Sequence, residues 1–246
     1  MSRDPLAPLV ALPGVEEAVG RARDAVVTLH HHPVNRTGWA ASAAEAALRA
    51  ARASAALDGA SLAPAVEEGL ATDPVLAGAV RAAEATGRLL GSWRTAPLQA
   101  LARLHVLAAA DLPDDSTGEP GRPVRGTERL ALLADLVTGG TSAPAPVLVA
   151  VVHGELLALT PFPSANGVVA RSAARLAAIG SGLDPHGLAV PEVGHLRAGA
   201  GYREAAQGFA AGTPDGLAMW IRHCCDQWVA GAREGRSIAE ARSRAT

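Results

Sequence analysis

The chain has 246 residues, a formal net charge of −2 and a mean hydropathy of +0.16, and 49% of its residues are hydrophobic. Enough apolar surface is present to form a core, which excludes a disordered chain. A near-neutral chain also lacks the positive charge with which proteins hold nucleic-acid phosphates. No nucleic-acid partner is therefore expected.

Alanine supplies much of the apolar content, and aromatic residues make up only 3%. Because alanine is the best helix former and β-branched residues are sparse, the composition predicts an all-α fold. The sequence shows no signal peptide and no apolar run of about twenty residues, the length that a membrane span needs. A cytoplasmic protein without membrane contact is expected.

The predicted helices follow one another along the chain without repeats. Ser42 and Glu45 have the spacing of a capping box at a helix start, and Gly59 can cap the same helix at its end. Residues 111–128 are rich in proline, glycine and aspartate, which predicts a loop. The predicted helices cover residues 15–29, 42–58, 62–68, 74–90, 97–109, 127–137, 145–159, 168–179, 194–211 and 214–232.

The domain organisation predicted is simple: an N-terminal appendage of residues 1–41, a helical domain of residues 42–232 and a C-terminal tail of residues 233–246. The histidine run at residues 30–32 precedes a proline and predicts a turn, because three consecutive side chains cannot converge on one metal ion. The adjacent Cys224 and Cys225 are expected to be reduced thiols, since neighbouring cysteines rarely meet disulfide geometry.

One segment has the form of an anion site: an apolar helix, a broken loop and a second helix that opens with Asn166 and Gly167. Free backbone N–H groups and the helix dipole attract anions at a helix start. Gly167 permits close backbone approach, and Asn166 could adopt a left-handed conformation or donate to a phosphate. Arg171, one turn later, could bind phosphate oxygens with its guanidinium. Taken alone, this pattern is a weak signal.

The stretch VVHGELLALTPFPSANGVVAR resembles the signature of Fic (Fido) proteins, a His-x-Glu helix followed by HPFx(D/E)GNGRxxR. Pro161, Phe162, Asn166, Gly167 and Arg171 match the motif. The resemblance extends over about residues 42–232. An upstream Leu-His stretch contains His105, a flap-like segment runs from Gly121 to Arg125, and a closing helix contains Trp220. Residues Ser54, Asp58 and Gly59 resemble the inhibitory (S/T)xxxE(G/N) motif on an N-terminal helix.

The resemblance implies a protein that transfers AMP, or another phosphate-linked group, from a nucleotide to a hydroxyl of a target protein. It also implies nucleotide or anion contacts for Phe162, Asn166, Gly167 and Arg171. Three roles of the family motif are missing in this chain. Thr160 stands at the position of the general base, and Ser164 at that of the metal-binding carboxylate. Ala165 replaces the first glycine, and Val168 replaces the first arginine.

Threonine cannot accept a proton near pH 7, and a general base contributes about 10²–10⁴ in rate. A neutral serine is a poor ligand for Mg²⁺, which prefers charged oxygen ligands. The sequence therefore predicts a pseudoenzyme with no catalytic residue, no metal ligand and no required cofactor. ATP or another nucleotide remains a candidate ligand, without Mg²⁺.

The retained pair Asp58 and Arg171 has two interpretations: an autoinhibitory lock, or a salt bridge that fixes one helix to the motif helix. His153 and His105 are interpreted as core histidines bonded to backbone carbonyls, with His153 and Glu155 as the first candidates for a substitute base.

Three functions remain open at this stage. The first is an inactive Fic-like module that binds a nucleotide or a partner protein of unknown identity. The second is a divergent transferase of the AMPylation type that docks a target strand on the flap. The third is a structural helical interaction protein. A second copy of the chain is a further candidate partner.

Overall fold

Helices form all the regular structure that the computed structural model describes, which comprises residues 4–61, 73–113 and 118–245. Within these residues there are eleven α-helices, a π-helical turn at Leu136–Gly140 and no strand, so the predicted all-α class is confirmed. The predicted helix at residues 62–68 lies outside the described residues. The α-helices are α1 Ala7–Val10, α2 Val15–His30, α3 Pro33–Leu57, α4 Pro74–Thr95, α5 Pro97–Ala109, α6 Thr127–Asp135, α7 Ala145–Leu159, α8 Asn166–Gly180, α9 Pro191–Ala198, α10 Ala200–Ala211 and α11 Pro214–Ala245.

Helices α7 and α8 form the centre of the molecule. Helix α7 is mainly apolar and largely buried, which confirms that its valine-rich run is a core helix and not a strand. The indole of Trp220 in α11 donates a hydrogen bond to the Ala150 carbonyl, at 2.8 Å, and ties α11 to α7. The two central helices place the loop between them, residues 160–165, at the edge of the core.

The other helices surround this pair. Helix α4 packs against α3, α5 and α8, while α11 packs against α2, α9 and α10. Buried side chains of α2, such as Val26 and Leu29, belong to the same hydrophobic core as Trp93 and Leu104. A smaller cluster joins α3 to α11 through Ala46, Ala50, Val190 and Ile238.

Helix α3 begins earlier than predicted, so the start at Ser42 is wrong. It starts at Pro33, whose fixed φ suits the first helical position, and it bends at Gly38. Ser42 is buried within the helix and does not cap it. Position 42, the predicted limit of the helical domain, therefore lies within α3, four residues after the bend at Gly38.

Two further helix boundaries differ from prediction. The single helix predicted over residues 194–211 is broken at Gly199, whose φ of 55° and ψ of −110° are accessible to glycine but not to a helix. Helix α11 continues past residue 232 to Ala245, because Ile238 and Ala239 are buried and Glu234 pairs with Arg49 at 2.7 Å. None of the described helices combines the length and apolar character needed to cross a bilayer.

Candidate functional site

The loop between α7 and α8 has two non-glycine residues in left-handed backbone conformation. Thr160 ends α7 with φ of 41°, and Ala165 precedes α8 with φ of 54°. A β-branched or alanyl side chain is disfavoured there because Cβ crowds the backbone. Ala165, at the motif's first glycine position, is thus the left-handed residue, and Asn166 is not.

The side chain of Asn166 closes this loop. Its Oδ1 accepts a hydrogen bond from the Phe162 N–H at 2.9 Å, and its Nδ2 donates to the Phe162 carbonyl at 2.8 Å. Both polar atoms of the Asn166 amide therefore bond to the backbone of Phe162. Asn166 holds the loop in shape, and its donor group is not turned to an external phosphate.

A carboxylate of the chain occupies the start of α8. Asp58 Oδ2 accepts a hydrogen bond from the Val168 N–H at 3.0 Å. The carboxylate lies against Gly167, where a Cβ would overlap both of its oxygens. Gly167 therefore allows Asp58 to approach the helix start, the place at which the sequence predicted an anion.

The end of α3 positions Asp58. Gly59 has φ of 91°, and its N–H donates to the Ala56 carbonyl at 3.1 Å, while the Ala60 N–H donates to the Ala55 carbonyl at 3.0 Å. These two hydrogen bonds form a Schellman motif, which confirms the predicted cap at Gly59. The turn directs the Asp58 side chain towards α8.

Arg171 is buried and fully engaged, with 3% of its side chain exposed. Its Nη2 contacts Asp58 Oδ1 at 2.7 Å and donates to the Ser54 carbonyl at 2.9 Å. Its Nε donates to Ser54 Oγ at 2.7 Å. The structure thus brings together Ser54, Asp58 and Arg171, as the inhibitory-motif resemblance implied.

Little space remains beside Arg171. Two small cavities that its side chain lines have volumes of about 20 and 10 Å³. Cavities of this size hold at most about one water molecule each.

A buried aromatic and histidine cluster lies behind Arg171. Tyr202 Oη accepts from Arg171 Nη1 at 3.4 Å and lies 2.9 Å from His153 Nε2, while His195 Nδ1 lies 3.1 Å from His223 Nε2. His153 is therefore a core histidine, bonded to a hydroxyl and not to the predicted carbonyl. Sequence reasoning missed Tyr202, His195 and His223, which three different helices contribute.

Burial sets the protonation of this cluster. Desolvation, together with the nearby charge of Arg171, holds the pKa of His153 well below its ordinary value. Desolvation does the same to the pKa of His195, and it lowers the pKa of the less buried His223. These imidazoles are consequently neutral at pH 7.

The other candidate bases lie elsewhere. Glu155 is paired with Arg129 of α6, with 2.6 Å between Oε1 and Nη2. His105 stacks on Phe162 with ring centroids 4.4 Å apart, and its Nδ1 accepts from the Gly121 N–H at 2.9 Å. His105 thus anchors the flap through a backbone N–H and not through the predicted carbonyl.

The flap lies beside the motif loop. The Val124 N–H donates to the Pro161 carbonyl at 2.8 Å, and the side chains of Val124 and Arg125 are exposed. Gly121 has φ of 83° and turns the chain over α5. The structure therefore places the flap-like segment next to the loop at residues 160–165.

The residues at the motif do not fit Mg²⁺. The loop offers Thr160 and Ser164, whose hydroxyls are neutral, and the described residues contain no group of three or more histidine, cysteine, aspartate or glutamate side chains arranged to hold a metal ion. Burial raises the pKa of both the Cys224 and Cys225 thiols, that of Cys225 to about 12. The two thiols therefore stay protonated at neutral pH, whereas a metal ligand would have to be a thiolate.

Comparison with solved structures identifies the fold. A Fic family protein from Desulfovibrio desulfuricans G20 superimposes with a TM-score of 0.65 at 20% sequence identity, over 92% of this chain and 74% of that one. Fic-1 from C. elegans superimposes with a TM-score of 0.72 at 16% identity, over 94% and 74% respectively. No protein-family profile and no curated protein matches the sequence. The chain has the Fic fold.

Proposed function

We propose that this chain is a catalytically inactive Fic-fold protein that acts in the cytoplasm by binding a partner protein. One observation carries the proposal: the Asp58 carboxylate occupies the start of α8 and pairs with Arg171 at 2.7 Å, the only arginine that the motif retains. The chain thus supplies the anion for its own anion site.

The loss of three chemical groups supports inactivity. Nucleotide transfer to a hydroxyl needs a base, and the Thr160 hydroxyl does not accept a proton at neutral pH. It needs charge neutralisation on the phosphates, for which Ser164 and the buried, apolar Val168 offer no charge. Mg²⁺ is not expected to bind here.

The contacts of Arg171 argue against a nucleotide at the start of α8. A phosphate at the start of α8 would have to displace the Asp58 carboxylate from both the Val168 N–H and Arg171. A phosphate arriving with Asp58 still in place would meet a like charge, which would repel it. The free protein therefore opposes nucleotide binding.

The flap is the proposed docking element for the partner protein. Its hydrogen bond to Pro161 holds the segment beside the motif loop, with the Val124 side chain 49% exposed. An exposed loop segment of this kind offers a backbone with which a strand of another protein can pair. A second copy of the chain is one partner to test.

Calorimetry with ATP, with and without Mg²⁺, tests whether Asp58 blocks phosphate binding at the start of α8. The wild-type protein is expected to show no binding tighter than about 1 mM, which corresponds to about −4 kcal/mol. Asp58→Ala should bind ATP more tightly than the wild type, because it removes the competing carboxylate. Asp226→Ala, a change in an exposed ion pair, is the matched control. Micromolar binding of ATP by the wild type contradicts the proposal.

A transfer assay separates an inactive protein from a locked enzyme. We expect no labelled band when the wild type, Thr160→His or Asp58→Ala is incubated with labelled ATP and cell lysate. Thr160→His alone restores neither the metal ligand nor the lost arginine. A band produced by Asp58→Ala but not by Asp226→Ala would establish the alternative, a divergent transferase under autoinhibition. A wild-type band that is lost in Arg171→Ala would establish a divergent transferase that is active without removal of Asp58.

A further inference from the structure

A second cavity lies away from the motif, between the N-terminal segment, α6, the π-helical turn, α7 and the α10–α11 hairpin. Its volume is about 570 Å³, within the range of about 300–1,000 Å³ that small-molecule sites occupy. No residue between 160 and 171 lines it. We name it the α6 pocket and define it by the side chains of Leu6, Leu9, Leu132, Leu133, Val151 and Phe209.

The N-terminal wall of the α6 pocket is fixed in place. The Asp4 carboxylate accepts hydrogen bonds from Thr141 Oγ1 at 2.8 Å and Ser142 Oγ at 2.7 Å, and also from the Ser142 N–H. Hydrogen bonds from Ser142, and then from Thr141, hold the pKa of Asp4 far below its ordinary value, so the carboxylate stays ionised. This tether holds residues 5–9 over the pocket.

A backbone irregularity shapes the opposite wall. The π-helical turn at Leu136–Gly140 contains Gly139 with φ of 113°, and Leu136 and Gly140 line the pocket. Such turns recur at functional sites, since they widen a helix locally. The pocket is thus preformed by five chain segments.

The lining of the α6 pocket is mainly apolar. Leu133, Val151 and Phe209 form its buried floor, and Leu132 is 64% exposed at its edge. Water gains few hydrogen bonds from such walls, so an apolar group that displaces it is favoured. These walls select an apolar ligand body.

The charged groups of the pocket leave a negative excess. Arg129 and Glu155 neutralise each other across 2.6 Å. Asp135 also lines the pocket, and its carboxylate has no hydrogen-bond or ion-pair partner in the described residues. A cation placed beside the apolar body would be attracted to this carboxylate.

We propose that the α6 pocket binds a small amphipathic molecule with an apolar body and a protonated amine. Its apolar walls take the body, and Asp135 pairs with the ammonium group. The site is separate from the partner-binding function proposed above, and neither depends on the other.

Calorimetry with octylammonium and octanoate, which share a chain and differ in charge, tests this site. We expect saturable 1:1 binding of octylammonium to the wild type and at least about tenfold weaker binding of octanoate, a difference of about 1.4 kcal/mol. Asp135→Asn should weaken octylammonium binding about tenfold and remove the preference. Leu132→Ser should weaken both ligands, whereas Leu98→Ser, at another exposed leucine, on α5, should weaken neither.

Three results would overturn the assignment. The first is the absence of saturable octylammonium binding to the wild type, whose fold is not in question. The second is equal binding of octanoate. The third is an unchanged preference in Asp135→Asn, an exposed position where the substitution should leave the fold intact.

Discussion

Helix α8 carries two arginines one turn apart, and each pairs with a carboxylate from another part of the chain. Arg175 meets Glu192 through two bonds, Nε to Oε1 at 3.3 Å and Nη2 to Oε2 at 3.0 Å, with 7% and 6% of the side chains exposed. Arg171 meets Asp58 through one bond, and Asp58 is 25% exposed.

The two ion pairs have different roles: one holds the fold together, and the other lies in the candidate site. The remaining donors of Arg175 bond the carbonyls of Gly187 and Ala189, so its guanidinium fastens the chain before α9. Asp58 instead lies at the surface end of α8, where solvent or a ligand can compete with it. The same kind of ion pair on α8 is therefore a fixed structural contact at Arg175 and a displaceable contact at Arg171.

The largest effect is expected from Glu192→Ala. It leaves Arg175 charged and buried without its partner, a change that costs about 3–5 kcal/mol of unfolding free energy. Urea unfolding followed by circular dichroism measures this loss. A loss below about 1 kcal/mol would show that the pair is not the support inferred here.

Asp58→Ala is expected to cost less, about 1–3 kcal/mol, because water can replace part of what Arg171 and the Val168 N–H lose. The same urea measurement gives the value. If this variant proved as unstable as Glu192→Ala, Asp58 could not be regarded as displaceable.

The surroundings of Arg171 should also make stability depend on pH. The pKa of His153 is lowered in the folded state, mainly by burial, whereas in the unfolded chain it is near its ordinary value of 6.5. The unfolded state therefore binds more protons below that pH. Stability should be greatest above pH 6.5 and fall below it, by up to about 1.4 kcal/mol per pH unit for each such imidazole.

His153→Gln should make the stability profile less steep between pH 6.5 and 5. Thermal unfolding across this range measures the slope. An unchanged slope in the variant would show that His153 is not responsible.

The smallest effect on the free energy of unfolding is expected from backbone strain near the Asp58–Arg171 and Glu192–Arg175 pairs. Ala165 is left-handed at the Asp58 pair, whereas Gly187, with φ of 65°, takes that conformation at the Glu192 pair. Ala165→Gly should therefore raise the unfolding free energy by about 0.5–1 kcal/mol, and Gly187→Ala should lower it by a similar amount. Destabilisation by Ala165→Gly would contradict the strain argument.

Local sequence signals predicted many helix boundaries. Helices α5 and α7 have the predicted ends, because each starts at a proline-containing turn and has a continuous apolar pattern. The break at Gly199 was missed, since glycine is also tolerated within helices and only its observed φ and ψ show the interruption. The start of α3 was missed because a tertiary contact accompanies it: the buried Asn35 amide donates to the Leu29 carbonyl near the end of α2, and propensity does not report such contacts.

Part of the candidate site was also predictable. Family resemblance identified Ser54, Asp58 and Arg171, which are in contact in the structure. Nothing in the sequence identified Tyr202, His195 or Glu192 as their neighbours, since each is a single polar residue in an ordinary helical segment. The α6 pocket was not foreseeable either, because its walls come from five segments distant in the chain.

By itself, the amino-acid sequence determined the helical class, the broken loop before α8 and the neutral residues at positions 160, 164 and 168. These features depend on residue identity and on spacings of a few positions. The tertiary structure decided which groups meet: Asp58 and Arg171 are 113 positions apart, and they touch because α3 ends over Gly167. Such contacts arise from the packing of whole helices, which no local pattern encodes.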